Sequence, residues 1–283
     1  MKYVVITGAS TGIGYAAAKE LIQHDYQVFG SVRKAVDAER LQQELGENFT
    51  PLLFDVTDVA AIHAAAEQVE TVIGDDNLLG LVNNAGIAVA GPLMHLPLEE
   101  LRQQFEVNLF GLVAVTQAFL PLLGAYQDAP EPRGRIINIS SVGGRIAYPF
   151  LGPYAASKHA LEGLSDSLRR ELLLYGIDVI VIEPGSVRTP IWDKAEQLDV
   201  NQYADTDYAA MATKMQTTLI ELGRQGLPPE KISAIIRQAL ESPRPKPRYV
   251  VANNFIIGWL LPQWLPTRWF DGMLGRSFEL RKP

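Results

Sequence analysis

The chain has 283 residues, 47% of them hydrophobic, enough to fill the core of one large α/β domain. Its 25 Lys and Arg against 32 Asp and Glu leave a net charge of −7 with no basic run, which argues against a nucleic-acid partner. There is no cysteine, and the four histidines (24, 63, 95 and 159) fall at no ligand-like spacing, so neither a disulfide framework nor a metal is expected.

The first predicted strand, 2–7, is rich in β-branched and aromatic residues. It starts so early that no room is left for a signal peptide, and a cytoplasmic location is expected. The turn Gly8-Ala-Ser-Thr-Gly12-Ile-Gly14 follows, then a helical pattern over 13–24. Strand 27–32 runs into Arg33 and Lys34, and helix 36–45 leads to strand 51–54. Helix 58–73 has Asp58 as its N-cap, and strand 79–83 ends in Asn83-Asn-Ala-Gly86. A long helix is predicted over 99–126, a loop over 128–134 and a strand over 134–140. Helix 154–175 stops at Gly176, before strand 177–183. Helix 229–241, a proline-rich loop at 242–247 and strand 248–252 complete the pattern.

Strand and helix alternate throughout, which predicts a single α/β domain, residues 1–252, with a doubly wound parallel sheet covered by helices on both faces. The alternation fails between Pro190 and Pro229, where a substrate loop or lid with Trp192, Met211 and Met215 is expected. Residues 253–283 form an apolar extension holding Trp259, Trp264 and Trp269. Its longest apolar run, Phe255 to Leu261, is far too short to cross a bilayer, and Pro262 and Pro266 interrupt any long helix. Three readings stay open for it: packing on the domain or on a neighbouring subunit, a wall over an apolar cleft, or weak membrane association through its tryptophans.

Two stretches carry chemistry. The glycine turn between strand and helix lets the backbone approach a pyrophosphate closely, while the free N–H groups and dipole of the helix favour the anion. Tyr154 and Lys158 stand four apart on a helix, which sets a phenol beside an ammonium. A cation at ~4 Å favours phenolate by roughly 1 kcal/mol in water and about 4 kcal/mol at an effective dielectric near 20, so the pair suits proton transfer in a cleft that excludes water.

Gly8-x-x-x-Gly12-x-Gly14, Asn83-Asn-Ala-Gly86, Asn108, Ser141, Tyr154, Lys158 and Pro184-Gly185-x-x-x-Thr189 together resemble the short-chain dehydrogenase/reductase family. The segments 28–33 and 183–192 are similar to its 17β-hydroxysteroid and retinol dehydrogenase branch. The resemblance implies a Rossmann fold, a nicotinamide dinucleotide and a catalytic tetrad of Asn108, Ser141, Tyr154 and Lys158. In it Tyr154 is the acid/base, Ser141 bonds the substrate oxygen, Lys158 lowers the tyrosine pKa and holds the nicotinamide ribose, and Asn108 anchors a relay water.

The implied cofactor contacts are Gly8, Ser10, Thr11, Gly12, Ile13, Gly14, Arg33, Asp55, Val56, Asn83, Ala85, Gly86, Tyr154, Lys158, Pro184, Gly185, Val187 and Thr189. Val32 stands where members preferring NAD carry an acid, and Arg33 follows with a guanidinium suited to a 2′-phosphate, so NADP is favoured over NAD. Ser141, Tyr148, Tyr154 and Trp192 are the expected substrate contacts, and the apolar lining around them suits a hydrophobic ketone, aldehyde or alcohol. Arg145 near the cleft dissents, as a cation that could select an acidic substrate. A homodimer or homotetramer is expected. A catalytically silent NADP(H)-binding regulator is the alternative, although all four tetrad residues are present.

Overall fold

The computed structural model describes residues 1–193 and 199–280. Seven strands form one parallel sheet: β1 (Lys2–Ile6), β2 (Tyr26–Val32), β3 (Phe49–Leu53), β4 (Gly80–Asn83), β5 (Arg135–Ile139), β6 (Asp178–Pro184) and β7 (Arg248–Val251). Their order across the sheet is β3-β2-β1-β4-β5-β6-β7. β1 is flanked by β2 and β4, with Val4 opposite both Val28 and Gly80. The order reverses at β1, and that switch point opens a crevice at the carboxyl ends of the strands.

The continuous apolar runs arise because both faces of the sheet are covered. Val4, Ile6, Val28 and Ile137 point to one core, shared with α1 (Gly12–Ile22), α2 (Ala35–Leu45) and α8 (Pro229–Glu241). Their neighbours Val5, Phe29 and Ile136 point to the other, under α3 (Val59–Ile73), α5 (Leu112–Phe119) and α6 (Gly152–Glu171). Asp58 caps α3 by accepting from the Ala61 N–H at 3.0 Å. Gly176, left-handed at φ 69°, ends the turn that follows α6.

The helix expected over 99–126 is broken into pieces. α4 (Leu98–Phe105) passes into a wide π-turn, Glu106–Gly111, before α5, and a 3₁₀ turn at Pro121–Leu123 closes the run. Pro121 cannot continue the donor ladder, and Gly124 leaves it in the left-handed region. At Gly111 a Cβ would lie 2.7 Å from the Val56 carbonyl, so glycine is what lets the π-turn pack against the loop after β3.

The excursion after Pro190 is more regular than its sequence shows, for it contains α7 (Ala209–Arg224). Residues 194–198 lie outside the described residues. The C-terminal extension is a broken segment, with turns at Ile256–Leu260 and Leu261–Trp264 and then α9 (Thr267–Ser277). Among the described residues no helix is long and apolar enough to cross a membrane.

Candidate active site

The glycine turn is built for close approach. Gly8 and Gly12 are left-handed, at φ 67° and 59°. A Cβ on Gly14 would lie 2.2 Å from the Gly8 carbonyl, and one on Gly12 would lie 3.0 Å from the Thr189 methyl. The segment Pro184–Thr189 therefore lies across the turn and narrows the groove. No side chain caps the first turn of α1, and no acid stands in it, so its N–H groups and dipole face the groove. These features fit a dinucleotide pyrophosphate.

Sequence reasoning missed the residues that brace this turn. The Gly8 N–H donates to Ser31 Oγ at 2.9 Å. Thr7 Oγ1 accepts from the N–H groups of Asn84 and Ala85 at 2.9 and 3.0 Å, while Asn84 Nδ2 donates to the carbonyls of Thr7 and Gly8. Arg40 donates to the Ser10 carbonyl at 2.8 Å. The one available signal was position: Thr7 and Asn84 follow the ends of adjacent strands.

Arg33 projects from the end of β2 with its side chain 65% exposed, 3.9 Å from Asp55 Oδ2. Asp55 keeps its other oxygen on the N–H and hydroxyl of Thr57. Val32 is buried, and the exit of β2 carries Arg33 and Lys34, both cationic.

Ser141 follows β5 and Tyr154 sits in the first turn of α6. Gly143 packs closely against both: a Cβ there would lie 3.2 Å from the Tyr154 ring and 3.3 Å from Ser141 Oγ. Burial raises the Tyr154 pKa, and its hydrogen bond with Ser141 works in the opposite direction. Lys158 lies 5.9 Å from the centre of the tyrosine ring and donates to the Ile139 carbonyl at 2.7 Å. Burial lowers it to about 8, against the field of Glu162. Lys158 is therefore not what sets the Tyr154 pKa here: burial is the largest influence and raises it. Its ammonium is held by a backbone carbonyl, desolvation dominates at the phenol, and Tyr154 stays a proton donor.

The π-turn carries Asn108 into the core, where Oδ1 accepts from the Ile87 N–H at 2.9 Å and Nδ2 donates to the Ile87 carbonyl at 3.0 Å. Gln104, one turn earlier and fully buried, was not singled out in the sequence. It accepts from the Val89 N–H at 2.7 Å and donates to the Ile87 carbonyl at 3.0 Å. Together they hold residues 87–89 beside α6, since Asn108 Nδ2 also reaches Ser157 Oγ, which donates to the Tyr154 carbonyl.

Phe150, four residues before Tyr154, belongs to a small apolar cluster with Met215 and Leu219, on which Trp192, Tyr208 and Phe278 pack. Phe150 holds a left-handed φ of 65° and its carbonyl accepts from the Gly91 N–H at 2.7 Å. Trp192 packs where Gly223 of α7 leaves room, and its indole donates to the Val187 carbonyl at 2.6 Å. Tyr148 is partly buried, which raises its pKa. Arg145 is tied to Glu162 and Glu183 at 3.1 and 3.5 Å, so it is not a free cation facing the cleft.

Comparison with known proteins agrees with this geometry. The family model described as short chain dehydrogenase matches residues 2–199. The chain is 43% identical to NADPH-dependent 3-dehydrocapnine reductase of Ornithobacterium rhinotracheale over 99% of its length and 98% of the relative's. It is 34% identical to retinol dehydrogenase 5 of Mus musculus, over 96% of this chain and 87% of that one. A short-chain dehydrogenase from Streptomyces avermitilis superposes with a TM-score of 0.75 at 27% identity, covering 98% of this chain and 95% of its own. The glycine cradle, the Ser141–Tyr154–Lys158 constellation and these matches lead to one conclusion: the chain belongs to the short-chain dehydrogenase family.

Proposed function

We propose that the chain is an NADPH-dependent reductase of bulky hydrophobic ketones, able to run in reverse on the corresponding alcohols. The observation that carries the reading is the buried Tyr154 hydroxyl hydrogen-bonded to Ser141, with Lys158 5.9 Å from its ring. When bound, NADPH supplies the hydride. As negative charge grows on the carbonyl oxygen, the Ser141 hydroxyl donates a hydrogen bond to it and Tyr154 delivers the proton. Lys158 lies behind the phenol, positioned to favour the anion that remains once the proton has left. Asn108 and Gln104 keep the wall at 87–89 in place. Arg33 is placed to meet a 2′-phosphate, and the relative named as NADPH-dependent supports the same choice.

Phe150, Met215 and Trp192 offer apolar contacts to a large substrate and keep water from the reacting carbon. The C-terminal extension adds Phe278 to that cluster. The test is Tyr154→Phe, with NADPH oxidation followed against a panel of carbonyls. Turnover should fall at least ~10²-fold while NADPH affinity, read by fluorescence titration, stays the same. Turnover within threefold of the parent would remove Tyr154 from this role.

A further inference from the structure

Behind Lys158 lies a buried group of charges that the reaction itself does not use. Glu183, near the end of β6, has 0% side-chain exposure, and Glu162, one helical turn past Lys158, has 4%. Two carboxylates so placed repel one another, and burial with the field of Glu162 raises the Glu183 pKa. Two arginines from different elements hold them. Arg145, in the turn after Ser141, reaches Glu162 Oε2 at 3.1 Å and Glu183 Oε1 at 3.5 Å. Arg248, at the start of β7, reaches the same two oxygens at 3.0 and 3.5 Å, and Asp166 at 2.7 Å. The remaining oxygen of Glu183 accepts the indole N–H of Trp259 at 2.8 Å.

We propose that this cluster positions Lys158, with Trp259 of the C-terminal extension as its closing contact. It ties together the turn carrying Ser141, the helix carrying Tyr154 and Lys158, strands β6 and β7, and a segment beyond the residues that the family model matches. Glu162 is the member nearest Lys158 in the chain, at i+4 on the same helix and buried like it, and acts on the ammonium through its field and not through an ion pair, since its Oε2 is taken by Arg145 and Arg248. The other groups facing Lys158 are Tyr154 from its own helix and the Ile139 carbonyl from β5. Arg145, Arg248, Asp166 and Glu183 act on it through Glu162.

The sign of the coupling follows from the charges. Glu162 holds the Lys158 pKa up against burial, so its neutralisation lets Lys158 lose its proton at lower pH. Without the Trp259 donor, Glu183 takes up a proton more readily. The two arginines are then balanced by Glu162 and Asp166 with one negative charge fewer, and the field at Lys158 becomes more positive. Both changes move the lysine titration downward. A merely structural cluster would lower thermal stability and leave that titration where it is.

The inference rests on the reductase reading only for its kinetic readout. In the full-length protein labelled with [13Cε]lysine, the Lys158 resonance is assigned by its loss in Lys158→Arg and followed against pH. The midpoint should fall by about one pH unit in Glu162→Gln, by less in Trp259→Phe, and not at all in Trp264→Phe, whose exposed ring lies outside the cluster. The alkaline limb of kcat/KM for NADPH, which reports the free enzyme, should move with it. A midpoint unmoved in Trp259→Phe and Glu162→Gln overturns the proposal. If Glu162→Gln does not fold, an unmoved midpoint in Trp259→Phe does so alone. A parent protein that reduces no carbonyl would sink the reductase reading, and the lysine midpoint would still decide this one.

Discussion

Arg33 is the side chain we propose to distinguish cofactors that differ by one phosphate. Its guanidinium is exposed and its nearest acid is 3.9 Å away, so it remains available to a second anion. Charge-assisted contacts to phosphate contribute about 1.5–3 kcal/mol, which is roughly 10- to 100-fold in affinity. Arg33→Ala should therefore raise KM for NADPH by that factor and leave KM for NADH nearly unchanged. Equal losses for the two cofactors would withdraw the NADP preference. That Ser141, Tyr154 and Lys158 come together could be expected from the sequence, because their residue types and spacing carry chemical meaning. Thr7, Ser31 and Gln104 could not be expected in this way. Each works through a partner between 15 and 78 residues away, and nothing local distinguishes a bracing serine or threonine from a surface one.

Among the elements, all seven strands could be read from their apolar runs, since a sheet buried on both faces leaves an unmistakable pattern. The helix expected over 99–126 could not be read correctly. Its hydrophobic pattern is helical throughout, whereas the π-turn at Glu106–Gly111 depends on contacts with Val56 and Ile87 from remote parts of the chain. The α7 helix was hidden for a related reason, because its apolar face packs on a small separate cluster and not on the sheet. The strand–turn–helix unit at the N-terminus yields a sharper expectation. A methyl group at position 14 would lie 2.2 Å from the Gly8 carbonyl oxygen, a backbone atom that cannot swing aside as the end of a flexible side chain can. Gly14→Ala should lower stability by ~1–3 kcal/mol, as overpacking does, and should abolish NADPH binding by displacing the turn. A melting curve and a cofactor titration check both, and an unchanged affinity would remove the turn from the nucleotide site.

At the scale of the molecule, large apolar side chains remain uncovered in the π-turn between α4 and α5 and in the turn that follows α6. Phe110 is 56% exposed, and Leu173 and Leu174 are 73% and 77% exposed. Clusters of this kind mark interfaces, and closed symmetry is the rule for soluble oligomers. We expect a homodimer or homotetramer. Sedimentation at micromolar concentration should show a species of at least twice the 31.2 kDa chain, and Leu173→Glu with Leu174→Glu should dissociate it. A parent protein that sediments only as the monomer would count against this assembly.

The strand order has a consequence for the protein's birth as well as for its site. β1 is made first, yet it ends between β2 and β4, and residues 7–79 must be synthesised before its second neighbour exists. At about 5–20 residues per second, a ribosome leaves that edge unpaired for roughly 4–15 s, with Val4, Val5 and Ile6 exposed along it. The crevice that later receives the dinucleotide is thus the last seam of the N-terminal half to close. Until β4 docks, the chain depends on its own slow pairing, or on a chaperone, to keep its future cofactor site from aggregating.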